Sequence, residues 1–213
     1  MVLAGEAGRI DIFPATSWDD VGEAYKFLRD SNHDYKWYAI DTVTATQELA
    51  KRKALRERDL SADPHMVTMQ DWGKIGELQG ELFYRFRMLP MHGIFLAQER
   101  LRGSGEDGAM EYQPDISPAA LSKLSPSMFL VGRLFTREVE EPETKQLVIE
   151  RRLRVGPHMH TVTKVRALPE RPMPAVVREP QLGQILAWLI GAKSAKAPQS
   201  VAADDDGLFE ATG

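Results

Sequence analysis

Tyr35-Lys36-Trp37-Tyr38-Ala39-Ile40-Asp41-Thr42 is the stretch on which the fold turns. An aromatic-rich apolar run that stops abruptly at an acid and a hydroxyl reads as a buried strand delivering a carboxylate to the carboxyl edge of an α/β sheet, where such sheets bind ligands. Working backwards, Asn32-His33-Asp34 makes a turn, and Val21, Ala24, Tyr25 and Leu28 recur at helical spacing over a helix near 18–29. Ser17 with Asp20 three residues on gives that helix a capping box. Arg9-Ile-Asp-Ile-Phe-Pro14 is a short strand stopped by its proline. Working forwards, Thr44 to about Arg58 is a charged, largely solvated helix. After the turn at Asp63-Pro64, Trp72, Ile75, Leu78, Leu82, Phe83 and Phe86 mark a long amphipathic helix near 70–88. His92-Gly-Ile-Phe-Leu-Ala-Gln98 is a second apolar run closing on a polar residue. Strands alternating with helices predict an α/β fold built on a mostly parallel sheet.

The C-terminal half reads differently. Arg102 to Met110 is expected to be an exposed, mobile loop, and Pro118 to Leu124 a short helix. Residues 128–139 and 146–155, separated by Glu140-Glu-Pro-Glu-Thr-Lys145, predict an antiparallel hairpin, so the sheet system is mixed. Pro169, Pro172 and Pro174 mark an extended crossing, and Leu182, Ile185, Leu186 and Leu189 a final amphipathic helix. Beyond it the small, polar segment with Asp204-Asp-Asp206 is expected to be disordered.

Composition narrows the chemistry. The 213 residues include no cysteine, which removes disulfides, thiolate zinc sites and cysteine nucleophiles. A formal net charge of −4 means that any nucleic-acid contact must come from local basic clusters. No window approaches the roughly 18 apolar residues of a membrane span, and no leader precedes the first strand, so a cytoplasmic protein is expected.

The order of strand-Asp41-Thr42, long helix with Gln70-Asp-Trp-Gly-Lys74, Leu89-Pro-Met-His92, strand ending Gln98-Glu-Arg100, and hairpin followed by Lys164-Val-Arg166 resembles the phage RecA-like ATPases. These nucleotide-binding proteins are related to single-strand-annealing ATPases of the Sak type. The likeness covers roughly residues 1–190. It implies a RecA-like three-layer domain over 1–192 with a disordered tail over 193–213. It further implies ATP and Mg as cofactors, single-stranded DNA as partner, a homo-oligomeric ring or filament, and a phage-infected bacterial cell as setting. Asp41 falls at the Walker B aspartate, which holds magnesium through water, with Thr42 beside the nucleotide. Glu6 matches the glutamate that orients the attacking water, and Gln98 the sensor of the γ-phosphate. Lys164 and Arg166 resemble the Lys-x-Arg element that reaches a neighbour's nucleotide.

One part of the family pattern has no match. The string G-x-x-x-x-G-K-[S/T], whose amides and lysine grip the phosphates, does not occur, and Gly5-Glu-Ala-Gly8 lacks its lysine and hydroxyl. The chain looks as if it begins after the first strand and phosphate-binding helix, so ATP turnover is in question. The alternatives are a non-catalytic assembly or DNA-binding module and an unstable remnant. Simpler readings stand beside each residue: Asp41 as cap of the next helix, Gln98 as partner of a backbone group, Lys164 and Arg166 as solvated charges. Arg133, Arg137, Arg151, Arg152 and Arg154 either track a DNA backbone or pair with the hairpin's glutamates. His158-Met-His160 lacks a third ligand for a metal.

Overall fold

A computed structural model describes residues 3–4, 10–58, 66–104, 109–141 and 143–201. The chain divides into two compact units: residues 1–100 with 114–126, and residues 101–113 with 127–213.

The first unit opens with β1 (Leu3–Ala4) and β2 (Asp11–Ile12), an antiparallel pair. Helix α1 (Trp18–Asp30) follows, and its capping box is formed: Ser17 accepts from the Asp20 N–H while the Asp20 carboxylate accepts from the N–H groups of Thr16 and Ser17. These donors hold the Asp20 carboxyl down at about 2. Strand β3 (Trp37–Asp41) leads into α2 (Val43–Glu57), and α3 (Met69–Arg87) leads into β4 (His92–Leu96). Strands β3 and β4 pair in parallel, Trp37 opposite His92 and Asp41 opposite Leu96. Their rings meet those of α3: Tyr38 lies 5.4 Å from Phe86 and Phe95 lies 5.9 Å from Phe83. Helices α2 and α3 pack through Ala50, Ala54 and Ile75. The small alanines let the two helix axes approach.

Two expectations about this region need correction. Strands β3 and β4 pair in parallel as a two-stranded sheet, whereas the four-stranded sheet, the β1–β2 pair and the pair of Leu130–Val131 with Lys164–Val165 are antiparallel, so a mostly parallel central sheet is not shown among the described residues. Nor is β3 buried on both faces. Tyr38 is 8% exposed while Trp37, Ala39 and Asp41 face outward, because helices cover one side of the pair only.

Tyr38 shows why the covered side tolerates no bulk. A Cβ added at Gly93 would collide with the Tyr38 hydroxyl oxygen and meet the ring carbons at 2.5–3.0 Å, so the glycine is the floor on which the ring lies. Burial pushes the Tyr38 hydroxyl up to about 12.

Strand β5 (Glu99–Ser104) pairs with β6 (Ala109–Pro114), and α4 (Pro118–Leu124) follows. Arg102 to Ser104 and Ala109 to Met110 are therefore strand rather than the expected loop; residues 105–108 lie outside the described residues.

In the second unit, β7 (Leu130–Val131) pairs with β10 (Lys164–Val165). Strands β8 (Arg133–Glu140) and β9 (Leu147–Arg154) form the predicted hairpin, in register from Arg133–Arg154 to Glu140–Leu147. Strand β11 (Val176–Arg178) adds beside β9, and β12 (Ser200–Val201) beside β11, giving an antiparallel order β12-β11-β9-β8. Ser200 and Val201 are thus ordered within the stretch expected to be a tail, held by the ladder bonds of β11; residues 202–213 lie outside the described residues. Helix α5 (Leu182–Leu189) closes the core of Leu153, Val155, Val177, Ile185 and Leu189. No helix among the described residues is long and apolar enough to cross a membrane.

Candidate functional site

At the carboxyl ends of β3 and β4, three of the sequence-predicted residues come together. Asp41 ends β3, exposed, and its carboxylate has no hydrogen bond or ion pair among the described residues. The helix cap is supplied by its neighbour: the Thr42 hydroxyl accepts from the Ala45 N–H at 3.0 Å. A threonine at this position leaves the aspartate out of the capping geometry, so the reading of Asp41 as helix cap does not hold. The peptide between the two residues is cis.

Gln98 follows β4 by two residues. Its backbone is held on both sides, the N–H by the Thr44 hydroxyl at 3.1 Å and the C=O by the Asp115 N–H at 2.7 Å. Its side chain is exposed. The segment that supplies Asp115 is itself fixed to α2, because the Ser117 N–H donates to Gln47 Oε1 at 2.6 Å, and Arg100 bridges to Asp115 at 3.0 Å. Below the turn, Gln79 of α3 is fully buried and donates to the Val43 carbonyl at 3.3 Å. The first turn of α2 is therefore pinned from α3, from the end of β4 and from the start of α4.

Sequence reading missed Thr44, Gln47, Gln79 and Asp115. Thr44 and Gln47 are three apart on one face of a helix, and that pairing of a hydroxyl and an amide was the available signal.

Lys164 and Arg166 belong to the second unit. Lys164 lies in β10 opposite Val131; partial burial and the neighbouring Arg166 charge lower its ammonium pKa. Arg166 is exposed; its N–H donates to the Phe129 carbonyl at 2.8 Å and its guanidinium lies 5.9 Å from the Phe129 ring. Glu6 lies outside the described residues.

Two of the hairpin arginines, Arg151 and Arg152, are in ion pairs. Arg152 and Glu150, both buried, meet at 2.7 Å, Arg178 also contacts Glu150, and Arg151 binds Glu179 at 2.8 Å. His158 Nδ1 accepts from the His160 N–H at 3.2 Å, and His160 Nδ1 lies 2.9 Å from the Met110 carbonyl.

An open carboxylate at the end of a parallel strand, beside a capped helix and an exposed amide, can hold the water shell of a divalent cation and read a bound anion. Residues 4–167, more than half of the chain, match the model of an AAA domain family, AAA_24. The chain belongs to this AAA domain family. The AAA domain is P-loop NTPase-like, and its function is of the nucleotide-binding, ATPase-like kind. No curated protein and no solved structure matches the chain.

Proposed function

We propose that this AAA domain is a phage RecA-like ATP-binding protein that acts in DNA recombination or single-strand annealing. The observation that carries the nucleotide part is Asp41: an exposed carboxylate at the end of a parallel strand, without a partner among the described residues, with Thr42 capping α2 in its place. The residues at this edge fit the magnesium half of a nucleotide site. Asp41 would hold the ion through water, Thr42 would stand beside the nucleotide, and Gln98 would sense the γ-phosphate. Bound magnesium supplies neutralisation of the phosphate charge. Lys164 and Arg166 would reach the nucleotide of a neighbouring copy in a ring or filament, and Glu6 would orient the attacking water. The exposed side chain of Gln98 on a doubly held backbone supports the sensor reading, since such a side chain can follow a ligand while its main chain stays fixed.

A second reading, a non-catalytic assembly or DNA-binding module, is favoured by one fact: these residues contain no G-x-x-x-x-G-K-[S/T] string. The two separate in one experiment. Light scattering of the purified chain with single-stranded DNA, with and without ATP and magnesium, should show assembly that follows nucleotide, accompanied by phosphate release. Assembly indifferent to nucleotide, with no phosphate released, selects the second reading.

A further inference from the structure

Helix α2 carries the run Lys51-Arg-Lys53 with Arg56, and Arg58 is its C-cap residue. Two of these cations are engaged: Lys53 with Asp19 at 3.1 Å and Glu57 at 4.0 Å, and Arg58 with Asp71 and Thr68. Arg52 and Arg56 are exposed, one turn apart, and have no acidic partner among the described residues. Like charges at this spacing disfavour the helix unless something anionic joins them. Both line a pocket of about 160 Å³ between α2 and the first turn of α1.

The rest of the pocket sharpens the ligand. Its two acids, Asp19 and Glu57, are the ones that face Lys53, and the nearby Asp20 carboxylate is engaged by Thr16 and Ser17, so the lining carries three cations to two acids and its acids pair with the lysine rather than the guanidiniums. Paired planar guanidiniums match a tetrahedral oxyanion. Trp18 and Leu49 add apolar wall, and Trp18 is held in place against the Ala50, Ala54 and Ile75 core. That wall suits a sugar or base attached to the anion better than a bare ion. The volume falls below the roughly 300–1,000 Å³ of sites that enclose a small molecule. It suits one repeating unit of a chain that continues across the surface.

We propose that Arg52 and Arg56 form a phosphate site for one backbone unit of single-stranded nucleic acid, with Trp18 as its apolar wall. The polymer's identity rests on the DNA part of the proposed function, whereas the site is independent of Asp41 and of ATP.

The test measures anisotropy of a fluorescein-labelled oligothymidylate with the full chain over a salt series. Arg52→Gln/Arg56→Gln should weaken binding about tenfold and lower the slope of log affinity against log salt by about 0.7, the value for one lost phosphate contact on a single strand. Arg52→Lys/Arg56→Lys should recover most of the affinity, and Arg29→Gln/Arg87→Gln, equal in charge and elsewhere on the unit, should retain it. A second arm follows the Trp18 indole N–H resonance, assigned with Trp18→Phe, as inorganic phosphate is added. Wild-type oligonucleotide binding that the Arg52→Gln/Arg56→Gln change leaves untouched overturns the site while leaving the DNA reading intact. No oligonucleotide binding, but a Trp18 shift with phosphate that the double variant abolishes, overturns the polymer and the DNA reading while leaving a site for free phosphate. Neither response overturns the whole proposal.

Discussion

The backbone N–H of Gln98 donates to the Thr44 hydroxyl at 3.1 Å, tying the chain just beyond β4 to the first turn of the helix that follows Asp41. Through this bond the two parallel strands share one fixed rim. Thr44→Val keeps the shape and removes the acceptor, so it should cost about 0.5–1.5 kcal/mol. Hydrogen exchange should show faster exchange at the Gln98 amide, with β3 amides little changed. Unchanged protection at Gln98 would mean that the bond does not hold the rim.

Gly93 and Tyr38 make a second pair whose fit can be measured. Gly93→Ala drives a methyl into the ring, with the hydroxyl oxygen as the nearest atom at 2.2 Å, and should destabilise the protein by about 1–3 kcal/mol in urea denaturation. Tyr38→Phe removes that nearest atom, so the double variant should recover part of the loss. A double variant no better than Gly93→Ala would place the strain elsewhere.

Asp71 closes the gap between α2 and α3. Buried at 2% exposure, it accepts from Arg58 and from the Thr68 N–H and hydroxyl, and these donors, Arg58 foremost, hold its carboxyl at about 2. A carboxyl depressed in the folded state stabilises above its unfolded value, near 4, and that contribution disappears as pH falls through about 2. Asp71→Asn should therefore destabilise at pH 7, and the gap to wild type should narrow between about pH 4 and pH 2. A gap constant across that window would assign the loss to shape rather than charge.

In the antiparallel sheet, Glu150 is 5% exposed at its side chain and joins buried Arg152 to half-exposed Arg178. Glu150→Ala leaves a buried guanidinium without this carboxylate and should cost about 3–5 kcal/mol. Arg178→Ala should cost less, because water can reach the site it vacates. Equal losses would contradict the asymmetry in burial.

Much of this architecture was legible in the chain because periodicity reports which face of an element is covered. The capping signals at Ser17, the phase of Ile75 to Phe86 and the turn residues after Glu140 placed α1, α3 and the β8–β9 hairpin close to where they lie. What was not legible depends on partners distant in sequence. An apolar run such as Trp37–Ile40 fits a strand covered on two faces or one, and only the placement of α3 decides that Trp37 and Ala39 face outward. The same holds for the rim. Asp41 and Gln98 stood out as polar residues ending apolar runs, whereas Thr44, Gln79 and Asp115 acquire meaning through bonds to chain segments dozens of residues away in two cases and 17 in the third. Arg52 and Arg56 read as solvated helix charges until α1 placed Trp18 beside them.

Equilibrium binding of a fluorescent ATP analogue to the full chain, with magnesium and with EDTA, tests the central claim most directly when wild type is set beside Asp41→Asn. The account predicts magnesium-dependent binding to wild type that Asp41→Asn weakens by about 10–100-fold, as loss of an outer-sphere metal partner does, with an unchanged melting temperature because the carboxylate has no partner among the described residues. Wild-type protein that binds no nucleotide at millimolar concentration, or a variant that binds as tightly as wild type, would contradict it.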